Sequence, residues 1–155
     1  EMYVLAAAAE TQVGGGTIAG VSDESADKLA KKHKKRVHDI DNEVKMRNLK
    51  KYIDKGIPIM WTCFVDRTWD KELEQRSKDR LDLPEKDWSE QLKNYRRRAG
   101  DASPGKMNGH MRMIIGYNDK TDEIAITDSW GKGFEERWMT IEEAKAIHGG
   151  MMTIV

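Results

Sequence analysis

The sequence predicts an α+β fold, with helices first and an antiparallel sheet after them. Three observations carry that expectation. Apolar residues recur at helical spacing through the first part of the chain. Residues 57–65 then form one continuous apolar run of strand length. The C-terminal part breaks into short apolar runs separated by turn residues, as paired strands do.

At 155 residues and 17.8 kDa the chain has the length of one domain and can bury a core. Its 27 Lys+Arg balance 27 Asp+Glu, which excludes a globally basic nucleic-acid binder and an acidic tail protein. The longest apolar runs, residues 2–9 and 57–65, fall well short of the roughly 20 residues a membrane helix needs. The one cysteine, Cys63, excludes an internal disulfide framework and a CxxC-type zinc site, and it leaves the compartment open.

The elements follow in order. The chain opens at Glu1, and residues 2–9 read as helix with no capping residue before them, as expected of a piece cut from a longer precursor. Gly14, Gly15 and Gly16 make a turn; lacking a Gly-Lys-Ser/Thr after them and a strand before them, they are not a phosphate loop. Ser22 or Asp23 is the expected cap of a helix running to about Lys35, with Ala26, Leu29, Ala30 and His33 at helical spacing. Lys28, Lys31, Lys32, Lys34, Lys35 and Arg36 line its other positions; with no aromatic residues interleaved, they read as a solvated face. Asp41 or Asn42 opens a second helix through Lys55, which Gly56 closes and Pro58 prevents from continuing.

Residues 57–65 are the expected buried strand. Residues 66–106 read as a helical insertion, with amphipathic helices over 71–81 and 87–98 fastened by Trp69, Leu73, Trp88, Leu92 and Tyr95. Residues 107–117 and 123–128 read as paired strands joined by a polar turn, and 134–139 as a further strand. Thr140, with Glu143 three places on, caps a helix over 141–147. His148 then reads as a C-terminal cation of that helix, and Gly149 and Gly150 lead into a last strand, 151–155.

The candidate chemistry lies in the hairpin. His110 and Asp128 are 18 residues apart, and their midpoint, residue 119, falls in the expected turn. In a hairpin centred there they stand opposite or nearly opposite, on the face shared with Ile114, Ile124 and Ile126; a slip of one residue breaks the match. Asp128 would then accept a hydrogen bond from one imidazole nitrogen and leave the other for a nucleophile. The competing reading is a cross-strand polar pair with no catalytic role.

Residues 109–117, Gly-His-Met-Arg-Met-Ile-Ile-Gly-Tyr, and 126–134, Ile-Thr-Asp-Ser-Trp-Gly-Lys-Gly-Phe, resemble the second half of a papain-like cysteine peptidase. In that superfamily a base histidine begins one strand, Gly-Tyr ends it, and Asn-Ser-Trp-Gly ends the next. Asp-Ser-Trp-Gly here is the form usual in the bacteriocin-processing, double-glycine branch, whose preceding strand residues 57–59 also resemble. The resemblance implies a papain-like domain over the whole chain. It also implies that His110 is the base that activates a thiol, Asp128 the residue that orients it, and Trp130 a shield over their hydrogen bond. Gly131 and Gly133 serve the turn.

A thiol nucleophile is best placed at a helix N-terminus, whereas Cys63 lies in the densest apolar strand and reads as core. The family's nucleophile precedes everything seen here, so the expected Cys lies upstream of residue 1, within about 10–40 residues, and these 155 residues alone should be inactive. The expected reaction is hydrolysis of a peptide or amide in a peptide or protein substrate, with no cofactor. The first alternative is a catalytically silent papain-like domain that binds peptide or protein; the second, a nucleic-acid module using residues 28–36, lacks the aromatics for base stacking. His33, His38, His110 and His148 are scattered without a His-Glu-x-x-His, so no metal site is expected. Oligomeric state is open.

Overall fold

Alternation of Ile59, Trp61, Cys63 and Val65 with Met60, Thr62 and Phe64 builds the central strand, its first set buried and Phe64 on the open face. The computed structural model describes residues 19–40, 43–96 and 108–155. The expected helix at residues 2–9, the glycine turn at 14–16 and the cap at Asp41 or Asn42 lie outside them. The chain divides into two compact units, Glu1–Asp39 with Thr153–Val155, and Ile40–Met152.

In the smaller unit α1 (Ala19–Lys32) buries Ala26 and Ala30. It begins before the expected cap at Ser22 or Asp23 and ends at Lys32, short of Lys35. Lys34 takes a positive φ of 57° in the following turn, which leads into β1 (Val37–Ile40), a strand the sequence reading did not foresee. Arg36 and Val155 exchange backbone hydrogen bonds of 2.9 and 3.0 Å.

The larger unit carries α2 (Met46–Ile53), β2 (Ile59–Val65), α3 (Arg67–Asp82) and α4 (Glu85–Arg96). After them come β3 (Asn108–Asn118), β4 (Glu123–Thr127), β5 (Arg137–Thr140), α5 (Ile141–Ala146) and β6 (His148–Ile154), the last as far as Met152. Its strands lie in the order β6-β2-β3-β4-β5, with antiparallel pairing at each step. The α+β expectation therefore holds. Ile59, Trp61, Cys63, Ile114, Ile124, Ile126 and Met139 supply the buried sheet face, closed by Leu49, Leu73, Ile141 and Ala144 from the helices.

Local chemistry explains where the elements begin. Asp66 accepts from the backbone N–H groups of Thr68 and Trp69 at 2.7 and 3.2 Å, so α3 starts four residues before the apolar periodicity does. Thr140 and Glu143 form the expected capping box. β6 begins at His148 rather than after the glycines; Trp61 Nε1 donates to His148 Nδ1 at 3.1 Å, so that nitrogen is an acceptor and His148 is no helix-end cation.

The segment after β2 is fastened by polar groups as well as by buried Leu73, Trp88 and Leu92. Buried Glu123 of β4 accepts from Arg80 Nε and from Trp88 Nε1, both at 3.0 Å. Arg76 holds Glu143 fork to fork at 2.5 and 2.7 Å. Ser77 Oγ accepts the Trp138 backbone N–H at 2.9 Å, giving a group on the outer edge of β5 a partner.

The β3–β4 ladder carries the feature that matters most for the site. Near the turn Tyr117 pairs with Ile124 and Gly116 with Ala125; beyond it Ile114 pairs with Ile126 and Met113 with Thr127. One extra residue of β3 enters at Ile115, a β-bulge. Continued without it, the ladder would bring Asp128 opposite Met113, on the face away from His110. With it, the next step brings Asp128 level with Arg112, whose side chain shares the face of His110. His110 and Asp128 are thus diagonal neighbours on one face, within the opposite-or-nearly-opposite placement expected, though the register that puts them there differs from a hairpin centred on residue 119.

Ser77→Ala leaves the Trp138 N–H without its acceptor. The expected loss is about 1–3 kcal/mol in urea unfolding, with faster amide exchange at Trp138 and the fold retained.

Candidate active site

His110 and Arg112 project from the same face of β3 because they are two residues apart on an extended strand. Asp128 stands just past the end of β4, where its N–H donates to the Phe134 carbonyl at 2.9 Å. The Phe134 N–H in turn donates to the Gly131 carbonyl at 3.0 Å, closing a tight loop. Gly131 and Gly133 have φ of 98° and 90°, a region that disfavours any residue with a Cβ, so the turn role expected for them is what the backbone requires.

The loop brings both Asp128 and Trp130 to the His110 imidazole. His110 Nε2 lies 2.8 Å from Asp128 Oδ1, with the imidazole side chain 20% exposed and the carboxylate fully buried. Trp130, exposed at its outer side, stacks on the His110 ring at 4.2 Å with 26° between planes. Phe134 meets the Trp130 ring edge-on at 5.6 Å. Asp128 binds Nε2, so the imidazole's Nδ1 is left as its second polar atom, with no hydrogen-bond partner among the described residues.

Beneath the imidazole lies an ionic ring that the sequence reading did not find. Arg112 Nε donates to Asp128 Oδ2 at 2.9 Å, and Arg112 Nη2 donates to Asp70 Oδ1. Arg137 Nη1 donates to Asp70 Oδ2 at 2.8 Å, and Arg137 Nη2 lies 3.5 Å from Asp128 Oδ2. Asp70 comes from the first turn of α3, Arg137 from β5, and Arg112 from β3. Burial of Asp128 opposes its ionisation, but the hydrogen bond and charge of His110, joined by those of Arg112, outweigh it and hold the carboxyl below its ordinary value.

One of these partners was legible in the sequence. Arg112 shares the parity of His110 and so had to face the same way. Arg137 and Asp70 carried no local signal, because only the register of β5 against β4 and the packing of α3 bring them in.

Cys63 pairs with His110 across β2 and β3, yet it is fully buried. Desolvation pushes its thiol up to about 12, against the lowering effect of Arg112. A thiol in that state is packing material, as the strand's composition implied. Among the described residues no group of three or more His, Cys, Asp or Glu is arranged to hold a metal ion, and no helix is long and apolar enough to cross a membrane.

Comparison with known proteins gives a match to the family described as Peptidase_C39 like family over residues 7–148. No curated protein and no solved structure matches the chain.

Two measurements check these electrostatics. Cys63 should not react with a thiol reagent at pH 8 while the chain is folded, and should react fully in denaturant. Asp128 has a lower pKa folded than its ordinary 3.8, so the unfolded chain binds that proton more tightly. Its contribution to stability is therefore complete above about pH 5 and disappears as pH falls through the folded value. Asp128→Asn should lower stability at pH 7 and flatten the acid limb of the stability–pH curve.

Proposed function

The chain belongs to the Peptidase_C39-like family, and on that premise we propose that it carries the base and its orienter for thiol-dependent hydrolysis of a peptide or amide bond. The supporting observation is the His110 Nε2–Asp128 Oδ1 contact of 2.8 Å beneath the Trp130 ring, with imidazole Nδ1 left for a nucleophile. In this reading the nucleophile is a cysteine upstream of residue 1, because the thiol of Cys63 is buried and held protonated.

The proposed chemistry is acyl transfer. His110 Nδ1 takes the proton of the incoming thiol, and the imidazolium that forms is stabilised by ionised Asp128 through Nε2–H. The thiolate adds to the substrate carbonyl, and His110 returns the proton to the departing amine as the tetrahedral intermediate collapses to a thioester. Water, deprotonated by the same Nδ1, then hydrolyses the thioester and frees the thiol. Trp130 keeps water from the His110–Asp128 hydrogen bond, so that contact operates at lower local dielectric. The reading lies within the bacteriocin-processing branch that Asp-Ser-Trp-Gly resembles.

The test is made on the full-length gene product. An electrophilic thiol probe should label an upstream cysteine, and His110→Ala or Asp128→Ala should lower kcat/KM by about 10³–10⁴-fold. The 155-residue chain by itself should not hydrolyse substrate. Full activity in His110→Ala would refute the assignment, and a parent sequence with no upstream cysteine would leave a silent binding domain in its place.

A further inference from the structure

We infer that Arg112 is a positioning residue: by occupying one oxygen of Asp128 and leaving the other, it aims that second oxygen at His110. The inference rests on the His110–Asp128 pair proposed above.

The contrast that carries it lies within this molecule. Arg76 meets Glu143 fork to fork, two nitrogens on two oxygens, even though Glu143 Oε2 also accepts from the Thr140 N–H and Oγ1. Arg112 does not treat Asp128 that way. Its Nε takes Oδ2 alone at 2.9 Å, and its Nη2 turns aside to Asp70. Arg137 Nη2 approaches the same Oδ2 at 3.5 Å, so both cations crowd one oxygen. Oδ1 keeps His110 Nε2, at 2.8 Å, as its hydrogen-bond partner.

The geometry makes this arrangement directional. A carboxylate's terminal torsion is broad and two-fold, so a buried aspartate held at one point can swing. The guanidinium is planar and rigid, and anchoring Nη2 on Asp70 fixes the direction in which Nε–H points. Asp70 is itself fixed from its other side, since Arg137 Nη1 donates to its Oδ2 at 2.8 Å. Arg112 and His110 also leave the same strand two residues apart, so the spacing of their two donors is set by strand geometry. Arg112 and Asp128 are fully buried, which keeps water from competing for either oxygen.

The test uses nitrogen-15 and carbon-13 NMR on the 155-residue chain at pH 7.5. In the unaltered protein, His110 should be the Nε2–H tautomer, and Arg112 Nε–H should show a through-hydrogen-bond coupling to the Asp128 carboxyl carbon. Absence of that coupling overturns the inference without any variant, so a variant that fails to fold does not shelter it. The charge-balanced pair Arg112→Met with Asp70→Asn should speed exchange of the His110 Nε2 proton by about tenfold or more and mix the two tautomers. Arg112→Lys, which keeps the charge but not the fork, should fall between the two. A folded double variant with an unchanged His110 signal refutes the role of Arg112 while leaving the catalytic reading intact. An Nδ1–H tautomer in the unaltered protein instead refutes the His110–Asp128 pair itself. In the active full-length chain the double variant should lower kcat on the order of 10²-fold with KM unchanged, and an unchanged kcat counts against the inference.

Discussion

The constraint on which the rest depends is the buried carboxylate of Asp128. An isolated carboxylate without solvent contact is strongly destabilised, and a buried one needs cations and donors placed on it directly. Here the charge is balanced by two arginines on one oxygen, while the other oxygen remains committed to an imidazole. The two arginines in turn need Asp70, which closes the ring with equal numbers of positive and negative groups. Removing one member of such a cluster leaves an uncompensated buried charge, at about 3–5 kcal/mol, whereas a well-packed apolar replacement of the whole is often neutral or stabilising. Stability is therefore a weak reason for the ring to exist, and orientation of one carboxylate oxygen is a stronger one.

The fold supplies that orientation through a single irregularity. Side-chain direction in a strand has a period of two, so the even spacing of His110 and Asp128 delivers them to one face only if the ladder between them keeps its parity. The turn between the paired Asn118 and Glu123 is centred between residues 120 and 121 rather than on 119, which gives the register near it an odd sum. The bulge at Ile115 restores an even one before the site is reached. Ile124 and Ile126 both stay buried on β4, with buried Ile114 opposite Ile126 and half-buried Tyr117 opposite Ile124. The His110–Asp128 geometry is thus set by one inserted residue.

How much of this was legible follows from the range of each signal. The helices of the segment after β2, the hairpin, and the Thr140–Glu143 cap are local patterns, and their existence was readable to within a few residues. Starts set by a polar cap, such as Asp66, moved because apolar periodicity does not register the cap. Gly149 and Gly150 read as a turn in the sequence, yet both lie within β6. The even spacing of His110 and Asp128 predicts their shared face, but the register that delivers it depends on the bulge. A bulge leaves no mark in composition or periodicity, and neither do Arg137 and Asp70, whose roles exist only after distant elements pack.

Cys63 shows why proximity to the imidazole is not enough to make a nucleophile. It lies in register with His110 and within the field of Arg112, which favours a thiolate. Yet it also lies in the middle of a packed strand with no exposure, and the cost of placing a charge there exceeds what the nearby arginine returns, so the thiol is held to about 12. Asp128 experiences the same burial and reaches the opposite outcome, because its hydrogen bonds are made directly to the groups that compensate it. Hydrogen-bonded contact separates the two buried groups: the aspartate stays ionised and turned toward His110, and the cysteine a strand away stays protonated and inert.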